Sequence, residues 1–176
     1  MSSPAPSTRR CKMATIGYYH SIESFGLVDG PGVRSILFLS GCPFRCLYCH
    51  NPDTWNLEKN HPVTPEEAYK MLSRYAPYWG KDGGITISGG EPLFQLDFLI
   101  EFARVAKSHG IPVTIDTSGA TFSMDPEYLK KFDELLKVSD LFLLDIKTVD
   151  SELHKKITCK DNANVLALFA YLDKKN

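Results

Sequence analysis

Ser35-Ile-Leu-Phe-Leu-Ser-Gly-Cys-Pro-Phe-Arg-Cys-Leu-Tyr-Cys-His50 runs from a short apolar segment straight into a loop with three cysteines in eight residues. The run Ser35-Ile-Leu-Phe-Leu-Ser40 is brief and apolar on both faces, as expected of a parallel strand buried by flanking helices. The same step recurs three times further along the chain. Gly84-Ile-Thr-Ile-Ser88 leads into Gly89-Gly90-Glu91-Pro92, Pro112-Val-Thr-Ile-Asp116 into Thr117-Ser118-Gly119, and Leu141-Phe-Leu-Leu-Asp145 into Ile146-Lys147.

Amphipathic helices separate these strands. Thr64-Pro65-Glu66-Glu67 supplies an N-cap, a proline at the first helical position and a capping-box glutamate, and Asp125-Pro126 repeats the cap and proline. Apolar faces at helical spacing follow: Ala68, Leu72 and Tyr75; Leu99, Phe102, Ala103 and Ala106; Leu129, Phe132 and Leu136; and finally Val165, Leu168, Phe169 and Leu172. Gly110 stands where a helix ends. The fold class is therefore α/β, a parallel βα arrangement with about four units. Every unusual polar or metal-binding group falls at the C-terminal end of a strand, the face that holds the active site in βα barrels.

The chain has 176 residues, enough for one domain with a real core. A formal net charge of −1 argues against a nucleic-acid binder, and no apolar run approaches membrane-spanning length. Residues 1–15 are rich in Ser, Pro and Ala with Arg9, Arg10 and Lys12 but no apolar core segment, so they read as a disordered tail and not a secretory signal. Met13 could itself be the natural start. Residues 16–176 form the domain. Five cysteines, three of them clustered, fit a metal site in a reducing compartment, the cytoplasm, better than a disulfide framework. Cys11 and Cys159 stand alone and read as incidental.

Three thiolates on one loop can meet three irons of a cubane, leaving one iron without a protein ligand nearby. An open position distinguishes a reactive metal site from one that only holds a fold. A structural zinc site using His50 as fourth ligand competes, but adjacent Cys49 and His50 are awkward around one tetrahedral centre. Cys46-Leu-Tyr-Cys49-His50 also fits a c-type haem attachment pattern, a chemistry that requires export.

The spacing Cys42-x3-Cys46-x2-Cys49, with Tyr48 before the last cysteine, resembles the radical SAM superfamily. Five further stretches sharpen the likeness: Asp29-Gly-Pro-Gly-Val-Arg34, Cys49-His-Asn-Pro-Asp-Thr-Trp55, Ser88-Gly-Gly-Glu-Pro92, Asp116-Thr-Ser-Gly119 and Leu144-Asp-Ile-Lys147. In this order they are similar to the pyruvate formate-lyase activating enzyme family, over nearly all of the chain from Ile16. The resemblance implies a [4Fe–4S] cluster on Cys42, Cys46 and Cys49, with S-adenosylmethionine (SAM) chelating the open iron. Reductive cleavage of SAM would then yield a 5′-deoxyadenosyl radical that takes hydrogen from a glycine of a glycyl-radical partner, pyruvate formate-lyase. It further implies SAM contacts from Tyr48, Cys49, His50, Gly89, Gly90, Glu91, Asp145, Ile146 and Lys147. Asp116 and Asp145 would form a pair holding a monovalent cation, Asp29 would sit in a loop meeting the partner, and Lys147 and Asp29 would be the catalytic pair. Asp116 could instead cap a turn through Thr117 or Gly119, and Asp-Gly-Pro-Gly could be an ordinary tight turn. A flavodoxin- or ferredoxin-type electron donor and a monomeric state go with the family.

The family fold is a partial barrel of about six βα units, so with four the chain is expected to be truncated at its C-terminus, to expose an unpaired strand edge and to be catalytically impaired alone. No cysteine lies between Cys49 and Cys159, so there is no ferredoxin-like insertion. Two other functions compete: activation of anaerobic ribonucleotide reductase, whose activator is naturally short, and a non-catalytic, zinc-stabilised interaction module.

Overall fold

A computed structural model describes residues 15–57 and 60–175. Apart from Thr15, the expected tail and Cys11 lie outside them. Strands β1 (Gly17–Gly26), β2 (Arg34–Leu39), β3 (His61–Val63), β4 (Gly84–Gly89), β5 (Val113–Thr117) and β6 (Leu141–Leu144) form one sheet in the order β3-β1-β2-β4-β5-β6. β2, β4, β5 and β6 run parallel, while β1 pairs antiparallel with both β2 and β3. The four parallel strands are those read from the sequence. The antiparallel pair β1 and β3 is an addition to that reading.

Helices α1 (Pro65–Leu72), α2 (Leu96–Ser108), α3 (Pro126–Val138), α4 (Ser151–Thr158) and α5 (Ala163–Asp173) complete the described chain. The Thr64 hydroxyl accepts from the Glu67 amide and the Glu67 carboxylate accepts from the Thr64 amide, so the expected capping box is present. Asp125 caps α3, and Gly110 follows α2 at φ 71°, a left-handed position suited to glycine. None of the described helices is long and apolar enough to cross a membrane.

Alternation along the strands separates two faces of the sheet. Leu37, Leu39, Ile85, Ile87, Val113 and Ile115 point at the helices and are fully buried with Leu99, Phe102, Ala103 and Ala106 of α2. The expectation of strands apolar on both faces fails for β4 and β5. Their other face carries Thr86, Ser88, Thr114 and Asp116, a polar surface. Arg34 lies buried on it, donating to the Thr86 hydroxyl at 2.7 Å and to the carbonyls of Pro31, Ile85 and Pro112. Thr86 in turn donates to the Asp29 carbonyl at 2.7 Å, so the loop 27–33 is tied down against the sheet.

β6 stands at the sheet edge, with all four residues only half-buried. Of the stripe read on the last helix, Val165 and Leu168 are buried and Leu172 is half-buried, but Phe169 is 54% exposed. It lies with Leu136, Phe142, Leu144 and Leu172 along a groove beside that edge. Tyr75 falls outside α1, in a 3-10 turn over Ser73–Tyr78, and is half-buried.

Candidate functional site

A cavity of about 350 Å³ opens at the C-terminal ends of the parallel strands, within the range of small-molecule sites. Cys42, Cys46, Cys49, Tyr48 and His50 come to it from the loop after β2, Gly89 and Gly90 from the end of β4, Ser118 from beyond β5, and Asp145 and Lys147 from beyond β6. Four segments distant in sequence thus converge on one space. Phe44, Asn51, Thr54 and Trp55 also line it and were not singled out from the sequence, although Asn51, Thr54 and Trp55 lie inside the quoted stretch after Cys49.

The backbone fixes the first wall. The Gly41 amide donates to Thr54 O at 2.7 Å, the Gly90 amide to Leu39 O at 2.8 Å, and the Glu91 amide to Gly41 O at 2.9 Å. A Cβ on Gly89 would lie 2.3 Å from Leu39 backbone atoms, and one on Gly90 2.6 Å from Gly41 O. Only hydrogen fits at these two positions, so the close approach the glycines permit is first of all between two protein loops.

Glu91 does not line the cavity. Its carboxylate is fully buried and accepts from five donors: the Leu93 amide and Thr117 hydroxyl on one oxygen, and the Ser118 amide, Ser118 hydroxyl and Ala120 amide on the other. Burial pushes this carboxyl up from its ordinary value, and the hydrogen bonds from Ser118, Thr117, Leu93 and Ala120 pull it back. The carboxylate is by geometry a bracket between the loops after β4 and β5.

Asp116 is not among the residues lining the cavity, although Asp145 and Lys147, which are, act on it electrostatically. It accepts from the Ser88 hydroxyl at 2.6 Å, and burial raises its carboxyl, with Asp145 and Asp29 adding to the rise. Thr117, not Asp116, caps the following turn, accepting from the Gly119 amide at 2.9 Å. Asp145 pairs with the Lys147 ammonium, whose nitrogen stands 5.7 Å above the Tyr48 ring. Burial alone would lower the Lys147 ammonium, yet Asp145, Cys46 and Tyr48 together hold it above its ordinary value. Ile146 and Asp29 are half-buried outside the lining.

The three thiols are half-buried and unpaired. Burial pushes Cys42 up to about 11 against an amide hydrogen bond from Phe44, and Glu91, Cys46 and Cys49 push the same way. Burial also raises Cys46, with Lys147 opposing. Cys42 and Cys46 are thus held toward the neutral thiol, and a bound metal would draw them to thiolates. Among the described residues no three His, Cys, Asp or Glu side chains close on a single metal ion. Three free thiols on one loop are a donor set that fits a [4Fe–4S] cluster.

Comparison with known proteins adds independent information. Residues 28–166 match the family model for a 4Fe-4S single cluster domain. The pyruvate formate-lyase-activating enzyme of Listeria monocytogenes is 46% identical over 158 residues, 89% of this chain and 64% of that protein. The enzymes of the same name from Staphylococcus epidermidis and Clostridium pasteurianum are 48% identical over 152 residues and 49% over 146, covering 61% and 58% of those proteins. The chain thus spans about three-fifths of the length of these relatives. Among solved structures, QueE from Escherichia coli superposes with a TM-score of 0.44 and 20% identity over 61% of this chain and 54% of that one.

Proposed function

The chain belongs to the 4Fe-4S single cluster domain family and to the pyruvate formate-lyase-activating enzyme family of the radical SAM superfamily, and from that premise we propose that it installs a glycyl radical on a pyruvate formate-lyase partner. One observation carries the proposal: three thiols, the Gly89-Gly90 backbone, Ser118, Asp145 and Lys147 line a single cavity. Cys42, Cys46 and Cys49 would hold a [4Fe–4S] cluster, with SAM beside it against Gly89 and Gly90. Cys42, Cys46 and Cys49 would thereby give the site one-electron chemistry: reductive cleavage of the sulfonium–C5′ bond of SAM, with a hydrogen atom from the partner's glycine completing 5′-deoxyadenosine.

The chain's own groups bind, orient and exclude water. Lys147, held positively charged by Asp145, can bond a ligand carboxylate or ribose oxygen. Tyr48 and His50 flank Cys49 and would meet the adenine side, while Phe44 and Trp55 present apolar walls that keep water from the reacting bond. Glu91 acts through the loops it brackets and is a positioning residue. Asp116 and Asp145 would give two carboxylates to a monovalent cation whose other ligands come from outside the chain. Asp29, in the loop tied to Thr86, would face the partner enzyme. Unpaired thiols on this loop need a reducing compartment, so the cytoplasm, a flavodoxin- or ferredoxin-type donor and a monomer complete the reading.

The test is anaerobic reconstitution with iron and sulfide, reduction, addition of SAM and quantification of 5′-deoxyadenosine. Product that disappears in Cys42→Ala, Cys46→Ala and Cys49→Ala supports the chemistry. A glycyl-radical signal on added pyruvate formate-lyase, absent when anaerobic ribonucleotide reductase replaces it, supports the partner. Colourless protein holding zinc and no acid-labile sulfide would refute both.

A further inference from the structure

The cysteine loop is gripped from a second side by α4, a helix more than a hundred residues further along the chain. The amide of Arg45 donates to Thr158 O at 2.8 Å and that of Leu47 to Ile157 O at 2.9 Å. These carbonyls belong to the last turn of α4, where a helix has no N–H donors of its own to offer them. The two amides flank Cys46, so the helix end grips the backbone on either side of one thiol.

The shape of that last turn depends on a buried polar pair. His154 and Thr158 are both fully buried, and they are the only two residues of α4 that are. His154 Nδ1 lies 2.7 Å from Lys160 O and 3.0 Å from the Thr158 hydroxyl. A carbonyl only accepts, so Nδ1 carries the hydrogen and donates to Lys160 O. The chain reverses through Cys159, at φ 65° the one non-glycine residue with positive φ among those described. The bond from His154 to Lys160 closes that reversal together with the Thr158 hydroxyl, which lies 3.0 Å from Lys160 O and accepts from the Lys160 amide at 3.2 Å. On its other side the His154 ring meets Phe44 of the cysteine loop edge-on, with centroids 5.2 Å apart, while its Nε2 is buried without a partner.

We infer that His154 is a positioning residue for the cysteine loop: through Nδ1 it holds the end of α4 in the shape that offers two carbonyls to Arg45 and Leu47, and so sets where Cys46 stands. The role in cluster retention rests on reading this loop as the cluster site, whereas the clamp itself does not. α4 also follows directly on Asp145 and Lys147, so the clamp joins the loop after β6 to the loop after β2 across the cavity.

Asparagine can place an amide N–H near the position of Nδ1, and glutamine near that of Nε2. Hydrogen exchange on the metal-free full chain would compare His154→Ala, His154→Asn and His154→Gln with the parent. The expected result is exchange about tenfold faster at Arg45 and Leu47 in the alanine and glutamine variants. The asparagine variant should recover toward the parent, and protection at Ile87 and Ile115 should not change. Unchanged exchange at Arg45 and Leu47, or rescue by glutamine equal to that by asparagine, would overturn the clamp. If alanine loosens the whole fold, the asparagine–glutamine contrast decides the matter alone. In the reconstituted chain, iron release to a chelator should quicken in the same order. A parent that takes up no iron and sulfide would sink the cluster reading while leaving the exchange result to stand for itself.

Discussion

The two sides of the cavity are built on different principles. On one side, the loops after β2, β4 and β5 are locked by backbone bonds, by glycines that leave no room for a side chain, and by the buried Glu91 carboxylate with its five donors. On the other, Asp145 and Lys147 stand beyond an edge strand, held by each other and by the Tyr48 ring, with the Asp145 side chain half exposed. Buried polar networks rigidify when every member is satisfied. Half-exposed ion pairs contribute little to stability and can exchange partners. The first side is a scaffold for the metal loop. The second is a pair of groups free to turn to a ligand.

The largest expected effect lies on the scaffold side. Glu91→Ala leaves buried donors on Thr117, Ser118, Leu93 and Ala120 without an acceptor, and should destabilise the chain by about 3–5 kcal/mol in urea unfolding. Lys147→Ala should stay within about 1 kcal/mol of the parent while 5′-deoxyadenosine formation drops at least about tenfold. Equal destabilisation by the two would erase the contrast between the sides.

A pH series sharpens it further. Glu91 is raised in the folded state above its ordinary value of 4.5, so the native chain keeps this proton after the unfolded chain has lost it. Its contribution to stability therefore falls as pH climbs from about 4.5 through the folded value. The stability difference between parent and Glu91→Gln should move against the parent over that window. A difference that is flat with pH would mean the five donors cancel the burial. The smallest effect is at the end of α4: Cys159→Gly relieves a left-handed backbone and should raise stability by up to about 1 kcal/mol, read as a higher unfolding midpoint.

How much of this was legible in the sequence follows from which residues do the packing. β2, β4, β5 and β6 announce themselves because short apolar runs end in unusual polar residues. β1 does not, since its pairing with β2 carries two register shifts, between Tyr19 and Ser21 and between Glu23 and Gly26, which break the alternation a reader looks for. α4 escaped because the face it buries is His154 and Thr158, not an apolar stripe. The alternation in Gly84-Ile-Thr-Ile-Ser88 and Pro112-Val-Thr-Ile-Asp116 was there to be read as one polar face. Motif order singled out Cys42, Cys46, Cys49, Tyr48, His50, Gly89, Gly90, Asp145 and Lys147, all of which line one cavity. It could not tell that Glu91 turns inward to five donors, because a glutamate after two glycines looks the same whether it faces a ligand or a neighbouring loop.

The most direct test is the electron paramagnetic resonance spectrum of the reconstituted, reduced chain recorded before and after SAM is added. A [4Fe–4S] signal whose g values shift on SAM addition in the parent, and shift less in Lys147→Ala, is the predicted result. A cluster signal that SAM leaves unchanged, or no cluster signal at all, would contradict the assignment of this cavity.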